Sequence, residues 1–203
     1  MSRFLIIPLL VTVIFFNAGD SHSDSPLTST VFHDAYIDVD EVLIAEQTNV
    51  MTPEFADFLH SKIYTIDLKA ALINALGWDF KTHGNTEKYC RYIFNKSPDS
   101  LDFDELGSED LFVVGYLNAM ENYHHPSGSL KYLKKARKEL KKSFTVNVIY
   151  SLVQAQTAME KDFCKVWKIY DKVYKNKNLN QDMRLSASKI IYDYMYLYKN
   201  YCN

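Results

Sequence analysis

The reading of the fold turns on residues 111–173: LFVVGYLNAMENYHHPSGSLKYLKKARKEL (111–140), then KKSFTVNVIYSLVQAQTAMEKDFCKVWKIYDKV (141–173). Apolar residues recur at helical spacing in its first part, at Phe112, Val113, Tyr116, Leu117, Ala119, Met120 and Tyr123. The same holds in its last part, at Val166, Trp167, Ile169, Tyr170 and Val173. His124-His125-Pro126-Ser127-Gly128 separates two helical patterns as a turn. The spacing predicts two helix-turn-helix hairpins in succession, with helices over 111–123 and 129–142, then 146–160 and 162–174.

The two hairpins repeat. A shift of 36 places Val113 on Ile149, Tyr116 on Leu152, Asn118 on Gln154 and Ala119 on Ala155. A shift of 37 places Leu130 on Trp167, Tyr132 on Ile169, Leu133 on Tyr170 and Ala136 on Val173. Two helices per period of this size point to an α-solenoid, because a lone hairpin cannot bury its apolar face and must stack on a neighbour. Gly115-Tyr116-Leu117, Pro126, and the run from Ser129 through Leu133 to Ala136 resemble one unit of the tetratricopeptide and Sel1-like repeats. Ser151 and Tyr170 keep that pattern in the next unit, whereas Val166 and Val173 replace its small residues. The resemblance implies a protein-binding array. In such arrays first helices line the concave face, so the matched amides Asn118 and Gln154 become candidate partner-binding residues.

Outward from this stretch, Thr52-Pro53-Glu54 is a helix start, with a Thr cap and Pro at the first helical position. A further hairpin is expected over 67–96, with Gly77 closing its first helix and Pro98 forbidding continuation of its second. Residues 97–110 read as an acidic connector without the register of a calcium loop. Residues 30–50 read as a short helix, although Ile37, Val39 and Val42 alternate as a strand would. A final helix over 181–201 closes the chain. The predicted fold class is therefore all-α: a short α-solenoid of stacked helix-turn-helix hairpins with a C-terminal capping helix.

The first residues carry a different signal. Arg3, the apolar run from Phe4 to Phe16 and the small residues after it describe a signal peptide over 1–19; the run is too short to span a membrane. An acidic, partly disordered segment over 20–50 and one helical-repeat domain over 51–203 are expected to follow, in a secreted or periplasmic protein. Three cysteines, Cys90, Cys164 and Cys202, then allow one disulfide. Cys164 with Cys202 is the favoured pairing, since it would hold the C-terminal tail.

Net charge of −2 conceals an asymmetry. Residues 20–128 hold 19 acidic and 6 basic side chains, and residues 129–203 hold 6 acidic and 16 basic. Lys131, Lys134, Lys135 and Lys138 belong to a basic amphipathic helix that is a candidate surface for an anionic partner, membrane or glycan. Nucleic acid does not suit an exported chain. The Tyr-rich tail offers Tyr194 and Tyr198 as partner-binding candidates, because Tyr favours interfaces.

Catalytic signals are absent from the sequence. His124-His125 lacks any partner at metal-ligand spacing, and His33, His60 and His83 are scattered. Ser186 and Lys189 form an SxxK without its companion motifs. Cys90 and Cys164 fall on apolar faces, where a thiol is inert. No catalytic residue, metal ligand or cofactor is expected. The expected function is protein binding, as an adaptor, effector or neutralising partner, with an enzyme lacking a recognisable motif as the alternative.

Overall fold

Proline and short polar side chains set where the helices begin. Pro53 opens one at its first position, where a missing N–H is harmless, and Phe55 N–H donates to Thr52 Oγ1 at 3.3 Å. Ser143 Oγ accepts from Val146 N–H at 3.1 Å, and Asp162 Oδ1 accepts from Lys165 N–H at 2.9 Å, at two further starts. Asn49 and Asn95 end helices in the left-handed region, at φ 57° and 53°.

The computed structural model describes residues 25–77 and 84–202. The expected signal peptide, residues 1–19, lies outside the described residues. A 3-10 turn, Phe32–Tyr36, leads into α1 (Asp40–Thr48), α2 (Pro53–His60), α3 (Ile66–Leu76) and α4 (Asn85–Phe94). Then come α5 (Ser108–Glu121), α6 (Leu130–Glu139), α7 (Phe144–Met159) and α8 (Phe163–Tyr174). Last is α9 (Leu185–Tyr196), which runs on into a 3-10 turn, Leu197–Tyr201. The described chain is all-α, without a strand.

The helix α5 is the hub. Every residue from Leu111 to Leu117 is buried, and α5 packs against α2, α3, α4, α6 and α7. Its closest neighbour is α6, and Gly115 is the reason. A Cβ at position 115 would lie 2.9 Å from Leu133 Cγ and 2.9 Å from Tyr132 Cβ. The small residue at 115 thus lets the α6 backbone approach α5 directly. The second expected hairpin pairs α7 with α8 in the same way, and α6 packs on α7 between the two units.

Three expectations change. Helices α3 and α4 do not pair as a hairpin: α3 packs on α1 and α5, and α4 on α2 and α5. The apolar faces of α1 and α2, short though they are, supply the partners that sequence adjacency assigned elsewhere. Second, no boundary falls at residue 51. Leu27, Phe32, Tyr36, Val42 and Ala45 are fully buried, so residues 25–50 belong to the same core as the later helices. Third, the ends of the array meet. Tyr36 Oη donates to Asp67 Oδ2 at 3.0 Å and accepts from Arg184 N–H at 3.0 Å. The Arg184 guanidinium lies over the Tyr36 ring at 4.5 Å, donates to Ala35 O at 2.8 Å and pairs with Asp38. In an open solenoid each unit touches only its neighbours; here the first turn packs against α9.

Two predictions follow from this packing. Gly115→Ala should destabilise the protein by about 1–3 kcal/mol by overpacking, despite Ala being the better helix former; urea unfolding measures it. Arg184 holds the Asp38 carboxyl below its ordinary value of 3.8. A depressed folded-state value means that the pair's contribution is present above the ordinary value and lost as pH falls through the lowered one. The stability gap between wild type and Arg184→Ala should therefore narrow on acidification, and a gap independent of pH would show that the ion pair adds nothing.

Candidate functional site

Helix α6 buries Leu133 and Ala136 against the hub and turns the opposite face to solvent. Lys131, Lys134 and Lys138 follow one another at steps of three and four along that exposed face, and exposed Lys141 follows in the turn just past the helix end. None of the four pairs with a carboxylate among the described residues. Lys135 is different. Its Nζ donates to Phe103 O and Asp104 Oδ1, both at 2.9 Å, and stands 4.6 Å from the centre of the Phe103 ring. That contact ties the acidic connector to α6 and withdraws Lys135 from the free face.

At the C-terminal end of α6 the lysines rim a shallow cleft of about 400 Å³, lined by Lys134, Arg137, Lys138, Lys141 and Asn147. Arg137 Nε donates to Asn147 Oδ1 at 2.6 Å and its guanidinium lies 5.1 Å from the Tyr150 ring centre, so this cation is fixed in place. The arrangement concentrates positive charge beside one held guanidinium, which suits carboxylates presented from outside. The acidic and basic halves of the chain meet through the pairs Asp104–Lys135 and Asp38–Arg184. Those contacts leave the α6 stripe uncompensated.

The amide pair fares differently. Gln154 lines a groove of about 420 Å³ with Leu130, Thr157, Lys161, Lys165 and Ile169, over α7 and between α6 and α8. Asn118, half-buried on α5, is not among the residues lining that groove. The repeat register made the two positions equivalent, but the interposed α6 and its turn separate their surroundings. The tail also reads differently in space. Tyr198 is buried, its hydroxyl 3.0 Å from that of half-buried Tyr194, with the Phe163 ring 5.9 Å away. Tyr198 thus belongs to the packing of the last 3-10 turn against α8 and Tyr194 packs on Tyr198, while Tyr196 and Tyr201 are the exposed ones. Cys164 and Cys202 form a disulfide with Cα atoms 4.7 Å apart, which anchors the final turn to the start of α8.

Two clusters of ionisable groups were invisible in the sequence, because their members lie on different elements far apart in the chain. His60 Nδ1 is 2.8 Å from Asp110 Oδ1, which also accepts from Tyr89 Oη at 2.9 Å. Burial and the Asp110 charge push the Tyr89 hydroxyl well above its usual range. Asp110 thus holds the His60 ring through Nδ1, and among the described residues no hydroxyl or thiol hydrogen-bonds to its outer nitrogen. Lys69, fully buried, pairs with Glu109 at 2.5 Å, where Lys62 also approaches at 3.6 Å. The Cys90 thiol is buried and pushed up to about 12 by desolvation, which makes it a core residue without reactivity. His124 and His125 are exposed, and Ser186 and Lys189 point to solvent with Lys189 paired to Asp193.

Comparison with known proteins finds no matching family model, no matching curated protein and no matching solved structure. Among the described residues no helix is long and apolar enough to cross a membrane.

The disulfide generates its own prediction. Closing a loop over a separation of 38 residues stabilises by about 4 kcal/mol in the chain-entropy model. Reduction under native conditions should lower the melting temperature and open residues 197–202 to proteolysis before the rest. Uniform digestion of oxidised and reduced protein would show that the tail holds without it.

Proposed function

We propose that this is an exported helical-repeat protein that binds an acidic protein partner through the lysine face of α6. The carrying observation is the stripe Lys131, Lys134 and Lys138 on α6, continued by Lys141 in the turn just past its end: four exposed cations without a carboxylate partner among the described residues. Elsewhere in this fold Lys62, Lys69, Arg91, Lys135, Lys175, Arg184 and Lys189 are each paired with an acid. Such a stripe steers an acidic partner and fixes its register more than it adds affinity. The resemblance of residues 111–173 to tetratricopeptide and Sel1-like units supports a binding role over catalysis. The Cys164–Cys202 disulfide supports an oxidising compartment and hence export.

A membrane surface is the weaker reading. A helix lying in a lipid interface needs its apolar face free to enter it, and α6 spends Leu133 and Ala136 on the core. None of the exposed large apolar residues lies on α6.

Charge reversal tests the proposal. Lys134→Glu, Lys138→Glu and Lys141→Glu together should leave the circular dichroism of the protein unchanged, because all three side chains are exposed. The mature protein is used as bait in the exported fraction of its own cells. The wild type should retain an acidic protein at about 0.1 M salt and release it near 1 M, as screening shortens from about 10 Å to about 3 Å. The triple variant should bind it at least tenfold more weakly. Equal retention by the variant, or salt-sensitive binding to anionic vesicles in place of a protein, would overturn the assignment.

A further inference from the structure

From the side chains around the first turn, we infer that His33, Asp34 and Glu46 form a binding site for a divalent transition-metal ion of the zinc type. The inference starts from a histidine whose two nitrogens have opposite roles. His33 stands on the 3-10 turn Phe32–Tyr36, and its side chain is only 8% exposed. Its Nδ1 is 2.8 Å from Asn74 Oδ1, and the same oxygen accepts the His33 backbone N–H at 3.0 Å. The Asn74 amide has one orientation available: Nδ2 donates to the carbonyl of Thr30 at 3.1 Å, and a carbonyl can only accept. Oδ1 is therefore the acceptor, and Nδ1 of His33 carries a proton.

The other nitrogen has no such partner. Nε2 faces Glu46 Oε1 at 3.6 Å and Asp34 Oδ1 at 3.7 Å, beyond hydrogen-bond distance, and takes no hydrogen bond among the described residues. In the neutral ring this nitrogen directs a lone pair at two carboxylates. Three electron-pair donors converging on one point repel one another unless a proton on Nε2 or a cation between them neutralises the contact. All three ligand atoms fall within 4.8 Å of one another.

The dimensions fit. Metal–nitrogen and metal–oxygen bonds of about 2.0–2.2 Å in a tetrahedron place ligand atoms roughly 3.3–3.5 Å apart. The two distances from Nε2 need to close by only a few tenths of an ångström. Asp34 and Glu46 are about half exposed, so their carboxylates can rotate inward without disturbing the core. The buried histidine supplies the fixed ligand. Asn74 supplies the outer hydrogen bond that metal-bound histidines characteristically make, and it sets the tautomer required for coordination through Nε2. The cluster opens on a cleft of about 390 Å³, which leaves room for water or another ligand at the remaining positions. One imidazole with two carboxylates selects a borderline cation over calcium or magnesium, which prefer oxygen alone. A bound ion would also staple the first turn to α1, since Glu46 comes from that helix.

Zinc titration of the full chain with its disulfide intact, followed by calorimetry and by the visible spectrum of cobalt as a replacement ion, tests the site. The expected result is one ion per chain. Saturation should raise the melting temperature by roughly 5–10 °C when zinc stands about a hundredfold above its dissociation constant. Glu46→Gln and Asp34→Asn replace exposed carboxylates with isosteric amides and should preserve the fold. Each should weaken zinc at least tenfold. Asn74→Ala should weaken it about 10–100-fold, and His33→Ala should abolish it. A variant lacking His124 and His125 should bind zinc as the wild type does. The inference fails if zinc does not bind at about 0.1 mM. It fails equally if Glu46→Gln and Asp34→Asn leave the affinity unchanged, or if binding disappears with His124 and His125.

Discussion

The approach of α6 to α5 across Gly115 is the constraint on which the other contacts depend. Only a residue without a Cβ admits Tyr132 and Leu133 at that distance. With α6 seated there, the next unit finds a surface to stack on, and α7 packs against both α6 and α5. The hub can then be apolar on every side, because neighbours cover it on every side. Its buried run from Leu111 to Leu117 would be insoluble on an isolated hairpin. Its burial shows why such units occur in arrays: each covers an apolar face that its neighbour cannot cover alone.

An array leaves two ends, and here the ends cover each other. Buried Phe32 and Tyr36 come from the first turn, and Ala187, Ile191 and Met195 from α9. Arg184 joins them by filling three roles at once: a backbone donor to Tyr36, a cation over its ring and a partner for Asp38. Desolvation raises the Tyr36 hydroxyl well above its usual range, so it stays neutral and keeps donating to Asp67. Residues 111–173 thus sit inside a helical bundle whose first and last described elements meet. The apolar residues of the first turn and of α9 are buried against each other.

Much of this was legible in the sequence, for local reasons. Helical periodicity, the Thr52–Pro53 start, the glycine at 77 and Pro98 act within a turn or two, so they can be read without knowing what lies nearby. Gly115 entered the sequence reading only as the small residue of the repeat resemblance; that its missing Cβ admits α6 is seen only in the packing. What could not be read was pairing. The expected hairpin over 67–96 assumed that consecutive helices pack together, whereas α1 and α2 intervene as partners. Tyr198 shows the same limit: its type suggests an interface, and only the fold decides that its ring faces α8. His33 and Glu46 lie 13 positions apart with no motif between them, and the turn that joins them to Asn74 has no sequence signature.

Asn74 shows how the hub reaches the surface. Its amide is buried, where an unbonded polar group costs about 1–3 kcal/mol. Both its atoms are used: Oδ1 accepts from the first turn, and Nδ2 donates to Thr30 O and contacts Tyr116 Oη at 3.5 Å. Tyr116 follows Gly115 on α5 and is fully buried, its hydroxyl kept neutral by desolvation. An apolar side chain at 74 would fill the same space without needing three partners. The amide does something a methyl group could not: it fixes which nitrogen of His33 is protonated, and so which one faces Asp34 and Glu46. The orientation of a buried histidine at the rim of the cleft is thereby set from the centre of the bundle, through side chains that touch both.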